Sequence, residues 1–209
     1  MAYHHGDLRA ALVDAALDLS RAGGPAAVTI REATRRAGVT PNAAYRHFPN
    51  RTALLDATAG AIQAVLAASM TEPPAPTPRE RLQRIGLAYV DFALREPGWF
   101  AVAFFGSRAL DPEAVAAAPA FGALMAALDG LVAEGALAPA ARDDAAWACW
   151  ATVHGFAELC LHGPLAPVPA DEQRRRAGVA IRAVIDGVAG PSRSGTDPRG
   201  EPVRISANT

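Results

Sequence analysis

One stretch constrains this chain more than any other: residues 29–48, TIREATRRAGVTPNAAYRHF, which predict two short helices joined by a tight turn. Thr29 suits the N-cap of the first helix, and Glu32 three residues later completes the pattern of a capping box. Gly38 is expected just past the end of that helix, where the chain often needs a positive φ. Thr40 would then cap a second helix whose first residue is a proline, because that position needs no amide hydrogen.

The second of these helices has one apolar and one polar face. Val39, Ala44 and Phe48 would form the apolar face. The opposite face is small, polar and basic, with Tyr45 at its border; its members are Asn42, Ala43, Arg46 and His47. Such a face suits the major groove of DNA, which a bulky or acidic face would not enter. The pattern predicts a helix-turn-helix; the alternative is an ordinary helical hairpin whose polar face is solvated.

The wider segment, residues 7–55, resembles the DNA-binding domain of TetR-family transcriptional regulators. The resemblance depends on an amphipathic first helix, then TIREATRRAGVT, then the aromatic cluster AYRHF, and finally NRTALL, which opens a fourth helix. The run YHHGDLR before the first helix is similar to one branch of that family. Trp150-Ala-Thr-Val-His154-Gly155 resembles a Trp–His–Gly element in the C-terminal domain of some TetR-like proteins. The resemblance implies a homodimer that binds DNA.

The chain departs from the family pattern at Ala33-Thr34, where a branched aliphatic residue followed by alanine is more usual. Thr34 would either crowd the contact between the helices or donate its hydroxyl to a carbonyl one turn earlier. Neither outcome changes the assignment, but crowding would soften the domain.

The charge of the chain is local rather than global. The net charge is only −1, so the molecule is not a basic protein that coats nucleic acid. Residues 1–56, however, hold seven arginines against five acidic residues, a net charge of +2 before the histidines are counted. A modestly basic end on a near-neutral body fits a specific DNA binder better than a non-specific one.

The remaining composition predicts a soluble, cytoplasmic protein with no metal or cofactor. Cys149 and Cys160 lie eleven residues apart in an apolar helical stretch, about three helical turns, so we expect reduced core thiols and no disulfide. The N-terminus lacks a signal-peptide layout, and no apolar run of about 20 residues is free of polar interruption. No nucleophile motif, phosphate loop or cofactor fingerprint appears, so we expect a regulator and not an enzyme, with no membrane partner.

Helical periodicity and proline breaks predict an all-α chain with two domains. We predict a three-helix helix-turn-helix domain at residues 1–56, a helical effector-binding and dimerisation domain at 57–189, and a disordered tail at 190–209. Gly23-Gly24-Pro25 should end the first helix. Residues 1–6 form a short arm, which either lies along DNA or is a frayed terminus.

The face pattern and the resemblance together predict contacts with a palindromic double-stranded DNA operator. Asn42, Ala43 and Thr40 would face base edges, and Arg31 and Arg46 would contact bases or phosphates. The residues expected to hold phosphates are Tyr45, His47, Arg51 and Thr29. The full predicted set is Thr29, Arg31, Thr40, Pro41, Asn42, Ala43, Tyr45, Arg46, His47 and Arg51. A two-fold dimer would place two recognition helices about 34–36 Å apart, one turn of DNA.

Large apolar and aromatic residues crowd the middle of the second domain and predict a cavity for a small apolar or aromatic effector. The predicted lining is Phe92, Trp99, Phe100, Phe104, Phe121, Met125, Trp147, Trp150, His154 and Glu158. The alternative for any one of these residues is ordinary core packing. An enclosed cavity of a few hundred Å³ would favour an effector, whereas a solid core would favour a DNA binder without one.

His154, Glu158 and His162 recur at intervals of four residues, which places them on one face of a helix. One hypothesis is a metal or acid/base site, and an acid/base pair is the basis of the alternative that the protein is an enzyme. The other is a buried His154 satisfied by Glu158 or by a carbonyl, with His162 at the exposed end of the helix.

The last two predicted helices, Asp143–Leu161 and Asp171–Val188, have more apolar surface than a small core can hide. Pairing them with their copies gives a four-helix bundle between two chains, and the family resemblance implies the same dimer. A ligand in the second domain would shift this bundle. Through residues 53–66 of the fourth helix, the shift would change the separation of the two recognition helices.

Overall fold

The computed structural model describes residues 8–71, 75–105 and 112–190. The predicted arm at residues 1–6 and the predicted disordered tail, apart from Gly190, lie outside these ranges. Ten α-helices and one short 3₁₀ turn, Pro139–Ala141, account for most of the described part, and no β-strand occurs within it. The predicted all-α fold is therefore confirmed.

The helices follow one another as short and long rods separated by turns. Four belong to the first part of the chain: α1 (Leu8–Ala27), α2 (Ile30–Ala37), α3 (Pro41–Tyr45) and α4 (Arg51–Thr71). The others are α5 (Pro78–Arg95), α6 (Pro97–Phe105), α7 (Pro112–Ala116), α8 (Pro119–Ala133), α9 (Arg142–Leu161) and α10 (Ala170–Val188). Five of the ten described α-helices begin with proline, whose missing amide hydrogen costs no hydrogen bond at the first helical position.

The ends of α2 and α3 follow the predicted signals in part. Thr29 Oγ1 accepts a hydrogen bond of 3.1 Å from the Glu32 amide, and Gly38 has the expected positive φ of 69°. The capping box is incomplete, because the Glu32 carboxylate binds the Arg35 guanidinium instead of reaching back. Thr40 occupies the N-cap position of α3, as predicted, but its side chain makes no capping hydrogen bond.

α1 is kinked near its end, at the place where the sequence predicts a break. Gly23 and Gly24 have non-helical backbone angles, and Gly24 has a φ of 62°, in the left-handed region that glycine tolerates best. The kink turns the chain toward α2. The first helix thus ends effectively where the glycine pair predicts.

The first hydrophobic core lies between α1, α2, α3 and the first half of α4. Its buried members include Leu12, Ala16, Val28, Ala33, Ala44, Phe48 and Leu54. Thr34 lies in this core and donates its hydroxyl to the Arg31 carbonyl at 2.9 Å, so the second of the two outcomes weighed for Thr34 is the one observed. Its polar group is therefore satisfied within α2.

The second, larger core lies between the later part of α4 and α5, α6, α8, α9 and α10. α4 serves both cores, with Leu54 in the first and Ile62 and Leu66 in the second. Among the described helices, α4 alone is long and apolar enough to cross a membrane by length and composition, although Asp56 and Gln63 interrupt it. Its contacts with α1, α5, α6 and α8 explain that composition.

Candidate DNA-binding helix and ligand cavity

α3 is held by its inner face and leaves its polar face in solvent. Ala44 is fully buried, and Phe48 just beyond the helix is 2% exposed. On the outer side Asn42, Arg46 and His47 are exposed, and Tyr45 is 52% exposed. The structure therefore brings these side chains together on one accessible surface, next to exposed Thr40 and Pro41 and half-buried Ala43.

Two of the residues predicted to contact phosphates have partners within the chain. The Thr29 hydroxyl accepts the capping hydrogen bond described above. The Arg51 guanidinium donates to the carbonyls of Val28, at 2.6 Å, and Pro25. Arg51 thereby ties the start of α4 to the turn before α2, a structural role that the sequence did not suggest. Its phosphate contact stays a prediction.

α6 packs against α1, a contact that connects the two cores. The Trp99 indole N–H donates to the Leu17 carbonyl at 2.8 Å. Arg21 reaches back to Glu96 at 2.8 Å and lies over the Trp99 ring, 4.0 Å from its centroid. Gly98 allows this approach, since a Cβ atom there would lie 2.2 Å from the Ser20 carbonyl oxygen. Trp99, predicted to line the ligand cavity, instead connects the two halves of the molecule.

A cavity of about 310 Å³ lies beside the second core, bounded by residues of α4, α6, α7, α8 and α9. Of the predicted lining residues, Phe104, Trp150 and His154 reach its wall. The remaining wall is built mainly from small and aliphatic residues: Leu55, Ala59, Gly60, Val102, Ala103, Ala114, Val115, Ala117, Ala118 and Pro119. Sequence reasoning missed these because they carry no aromatic ring.

The other predicted lining residues lie elsewhere in the second domain. Phe92 and Phe100 are buried in the core, and Met125 packs at its edge. Phe121 contacts Trp147 and Trp150, with ring centroids 5.5 Å apart in each pair. Trp147 itself is about half exposed. The structure thus places these aromatic side chains in packing positions and at the surface, with only part of the predicted set at the cavity.

His154 has a different partner from either one expected. Its Nδ1 lies 2.8 Å from the Tyr89 hydroxyl, whereas Glu158 binds His162 Nδ1 at 3.0 Å. Burial lowers the pKa of His154, with a smaller opposing effect from Glu158. Burial raises the pKa of Tyr89 well above its usual value, and Glu158 adds to that rise. Both rings are therefore neutral near pH 7.

Among the residues that the structure describes, two buried side-chain oxygens have no hydrogen-bond partner: Gln63 Oε1 and Glu158 Oε1. Gln63 lines the cavity, and no sequence argument singled it out. A signal was present, because Gln63 interrupts the apolar stripe of α4 directly after Ile62. An unpaired polar atom in the interior is unfavourable, so such a residue calls for an explanation.

The cysteines and acidic residues form no second kind of site in the described ranges. Cys149 and Cys160 are buried free thiols, and burial raises the pKa of Cys149 to about 11, which is the behaviour of core residues. No group of three or more His, Cys, Asp or Glu residues in these ranges is arranged to hold a metal ion.

The outer faces of α9 and α10 carry large apolar residues that remain partly exposed in the described chain. Trp147, Leu159 and Val179 are each about half exposed. Ala151 and Gly155 lie between Trp147 and Leu159 at four-residue spacing, which places all four on one face of α9. A Cβ atom at Gly155 would meet no atom within 4 Å. We call this set of residues on α9 and α10 the outer apolar face.

An exposed helix-turn-helix at one end and a cavity-bearing helical domain at the other define a helical DNA-binding regulator. The chain belongs to the tetR family of bacterial regulatory proteins. Residues 12–58 match the family model described as "Bacterial regulatory proteins, tetR family". Residues 82–191, more than half of the chain, match "Tetracyclin repressor-like, C-terminal domain". No curated protein matches the chain.

Solved structures with the same fold cover most of the chain. A protein of unknown function from Rhodococcus sp. RHA1 is 30% identical, with 91% of this chain and 100% of that one covered and a TM-score of 0.67. A TetR variant from Acinetobacter baumannii AYE, solved with minocycline, is 26% identical over 84% and 93% of the chains, with a TM-score of 0.63. A TetR-family regulator from Pectobacterium atrosepticum shares the fold at 21% identity, covering 88% and 95%, with a TM-score of 0.70.

Proposed function

We propose that this transcriptional regulator acts as a repressor: a homodimer that binds a palindromic DNA operator and is released by a small apolar or aromatic effector. We place it in the cytoplasm, where its operator would be. The exposed polar face of α3, set over buried Ala44 and Phe48, carries the proposal. A rigid helix that presents small, polar and basic side chains is suited to reading a major groove.

The proposed DNA contacts divide by chemistry. Asn42, Ala43 and Thr40 would meet base edges, while Tyr45 and His47 would position the helix on phosphates. Arg31 and Arg46, both exposed, would serve either purpose. Thr29 and Arg51 would contact phosphates with the hydrogen-bonding groups that are not already paired within the chain.

The roles of Tyr45 and Asn42 are separable by experiment. Operators would first be selected from a random pool of duplexes. Tyr45→Ala should then weaken binding to every duplex alike, because a phosphate contact has no sequence preference. Asn42→Ala should instead relax the preference at one position of each half-site. A changed preference in Tyr45→Ala would refute the phosphate role, and no selected duplex at all would refute DNA binding.

The proposed dimer uses the outer apolar face. Arg in place of Gly155 would put a charged side chain on that face, and its Cβ atom would meet no atom of the chain within 4 Å. Gly122 on α8 is a matched control, since it too is an exposed helical glycine whose Cβ would meet nothing within 4 Å. Gly155→Arg should sediment as a monomer and lose operator affinity, while Gly122→Arg stays dimeric. If the Gly155→Arg variant remained dimeric, the dimer interface would have to lie on another surface.

The cavity is partly open rather than fully enclosed, and its presence favours an effector over an effector-independent regulator. Its volume of about 310 Å³ falls at the lower end of the range usual for small-molecule sites, about 300–1,000 Å³. Release would require the effector to bind one arrangement of the dimer better than another. α4 would connect the cavity to the DNA-binding helices. Leu55 and Gln63 of α4 line the cavity, and Leu54 lies in the core beneath the helix-turn-helix.

A further inference from the structure

Two glutamines are buried in this protein to the same degree but are satisfied differently. Gln173 is 6% exposed and donates from Nε2 to the Leu165 carbonyl at 2.7 Å. Gln63 is 7% exposed, and its Oε1 has no partner. Gln173 joins α10 to the preceding turn, whereas Gln63 lines the cavity. Gln173 therefore has a structural hydrogen bond, whereas Gln63 keeps a buried oxygen without a hydrogen-bond partner.

The unpaired Gln63 Oε1 favours a ligand that carries a hydrogen-bond donor. A buried carbonyl oxygen without a hydrogen bond costs free energy in the empty protein, and a ligand that donates to it recovers that cost. An apolar ligand of the same shape leaves the oxygen unpaired and gains only from burial. Donors should therefore be preferred over their apolar isosteres.

The rest of the wall disfavours anions. His154 lines the cavity but is neutral near pH 7, since burial lowers its pKa, so it supplies no positive charge. Asp56 adds an acidic side chain to the same wall. Phe104, Trp150 and the aliphatic residues described above supply the apolar remainder. A carboxylate would lose part of its hydration here and meet no cation among the wall residues that the structure describes.

We propose that the cavity binds a small, neutral, largely apolar molecule that donates an O–H or N–H hydrogen bond to Gln63 Oε1. This inference rests on the proposed effector site and defines its ligand class. The ligand is compact, because the cavity holds only about 310 Å³. Its donor contacts α4 directly, the helix that starts beside the helix-turn-helix.

Matched probes test the donor. We would measure by calorimetry the affinity of the full-length protein for 2-naphthol, for 2-methylnaphthalene, which replaces the hydroxyl by a methyl group, and for 2-naphthoate, an anion. The wild type should prefer 2-naphthol to 2-methylnaphthalene by about tenfold, the usual effect of pairing a buried polar group, and bind 2-naphthoate most weakly. Gln63→Leu should bring the first ratio to about one.

The ligand-free protein provides an independent readout. Gln63→Leu removes an unpaired oxygen and should raise the midpoint of thermal unfolding. Gln173→Leu removes a donor and leaves the Leu165 carbonyl without it, so it should lower the midpoint. A fall in both variants would show that Gln63 is structural like Gln173 and would overturn the proposal.

Other outcomes overturn it as well. These are equal wild-type affinity for 2-naphthol and 2-methylnaphthalene, a preference for 2-naphthoate, or no binding of any probe at about 1 mM. The proposed DNA function is judged separately, by operator binding of the protein without any probe. Operator binding with failure of the probes would reject the ligand class alone.

Discussion

The two cores of this chain are built from similar helices but are filled differently. Around α1 to α3, Phe48, Leu12 and Leu54 are almost completely buried, and the buried hydroxyl of Thr34 is paired within its own helix. Around the second core, a cavity of about 310 Å³ lined by α4 and by α6 to α9 adjoins the packed side chains, and Gln63 and Glu158 each leave a buried oxygen unpaired. One core is complete, while the other retains unfilled space and unpaired polar atoms.

The difference agrees with the function that we propose for each region. A recognition helix needs one fixed position relative to DNA, and dense packing with satisfied polar groups provides it. A ligand site must stay incomplete until the ligand arrives, so it carries empty volume and unpaired groups at some cost in stability. The contact of Gly98 and Trp99 with α1 joins the completely filled core to the core beside the cavity.

The largest effect is expected from breaking the complete core. Phe48→Ala should destabilise the helix-turn-helix domain by about 3–5 kcal/mol, the usual cost of deleting a buried phenylalanine ring. Hydrogen exchange should then show α2 and α3 unprotected, and operator binding should be lost while α9 and α10 keep their protection. Phe105→Ala is the control, because Phe105 is 52% exposed. Equal effects in both variants would contradict the contrast between the cores.

The next effect concerns the contact between the cores. Gly98→Ala places a methyl group 2.2 Å from the Ser20 carbonyl oxygen, so α6 must withdraw from α1 at a cost of about 1–3 kcal/mol. Gly122→Ala meets no atom and should stabilise by up to about 1 kcal/mol through helix propensity. Urea unfolding of both variants measures the difference. A Gly98→Ala protein as stable as wild type would mean that this contact is not tight.

A smaller effect is expected from filling the incomplete core. Gly60 lines the cavity, and a Cβ atom there meets nothing within 4 Å. Gly60→Leu should raise the free energy of unfolding by about 1 kcal/mol through helix propensity alone and occupy part of the cavity. Gly122→Leu should give a similar gain without touching it. Only Gly60→Leu should lose binding of 2-naphthol; retained binding would place the ligand elsewhere.

The smallest effect is a pH dependence confined to the cavity domain. The folded state lowers the pKa of His154 below its usual 6.5, so it favours the neutral ring. The resulting stability is complete above about pH 6.5 and declines as the pH falls toward the lower folded pKa. Urea unfolding at about pH 7.5 and 5.5 should show this decline in wild type and less of it in His154→Gln.

Local signals predicted most of the helices and the exposed polar face of α3. Thr29, Gly38, Pro41 and the glycine pair at 23–24 act on their immediate neighbours, so their effects on the backbone can be read from the chain alone. The exposure of Asn42 and Arg46 also followed from the pattern, because α3 is short and has a single buried face. The pattern could not decide between two local partners of the Glu32 carboxylate: the N-cap amide of a capping box and the Arg35 guanidinium, which it binds.

The cavity depended on tertiary structure. Its wall combines residues of five helices, and most of them are small, so no local pattern marks them. Aromatic residues drew attention in the sequence, but a large ring fills space as often as it borders it, and Trp99 and Phe121 became packing residues. The amino-acid order determined which helices form and which face of α3 stays polar. Only the packing of those helices decided where space remained and which buried glutamine lacked a partner, because both depend on distances between segments far apart in the chain.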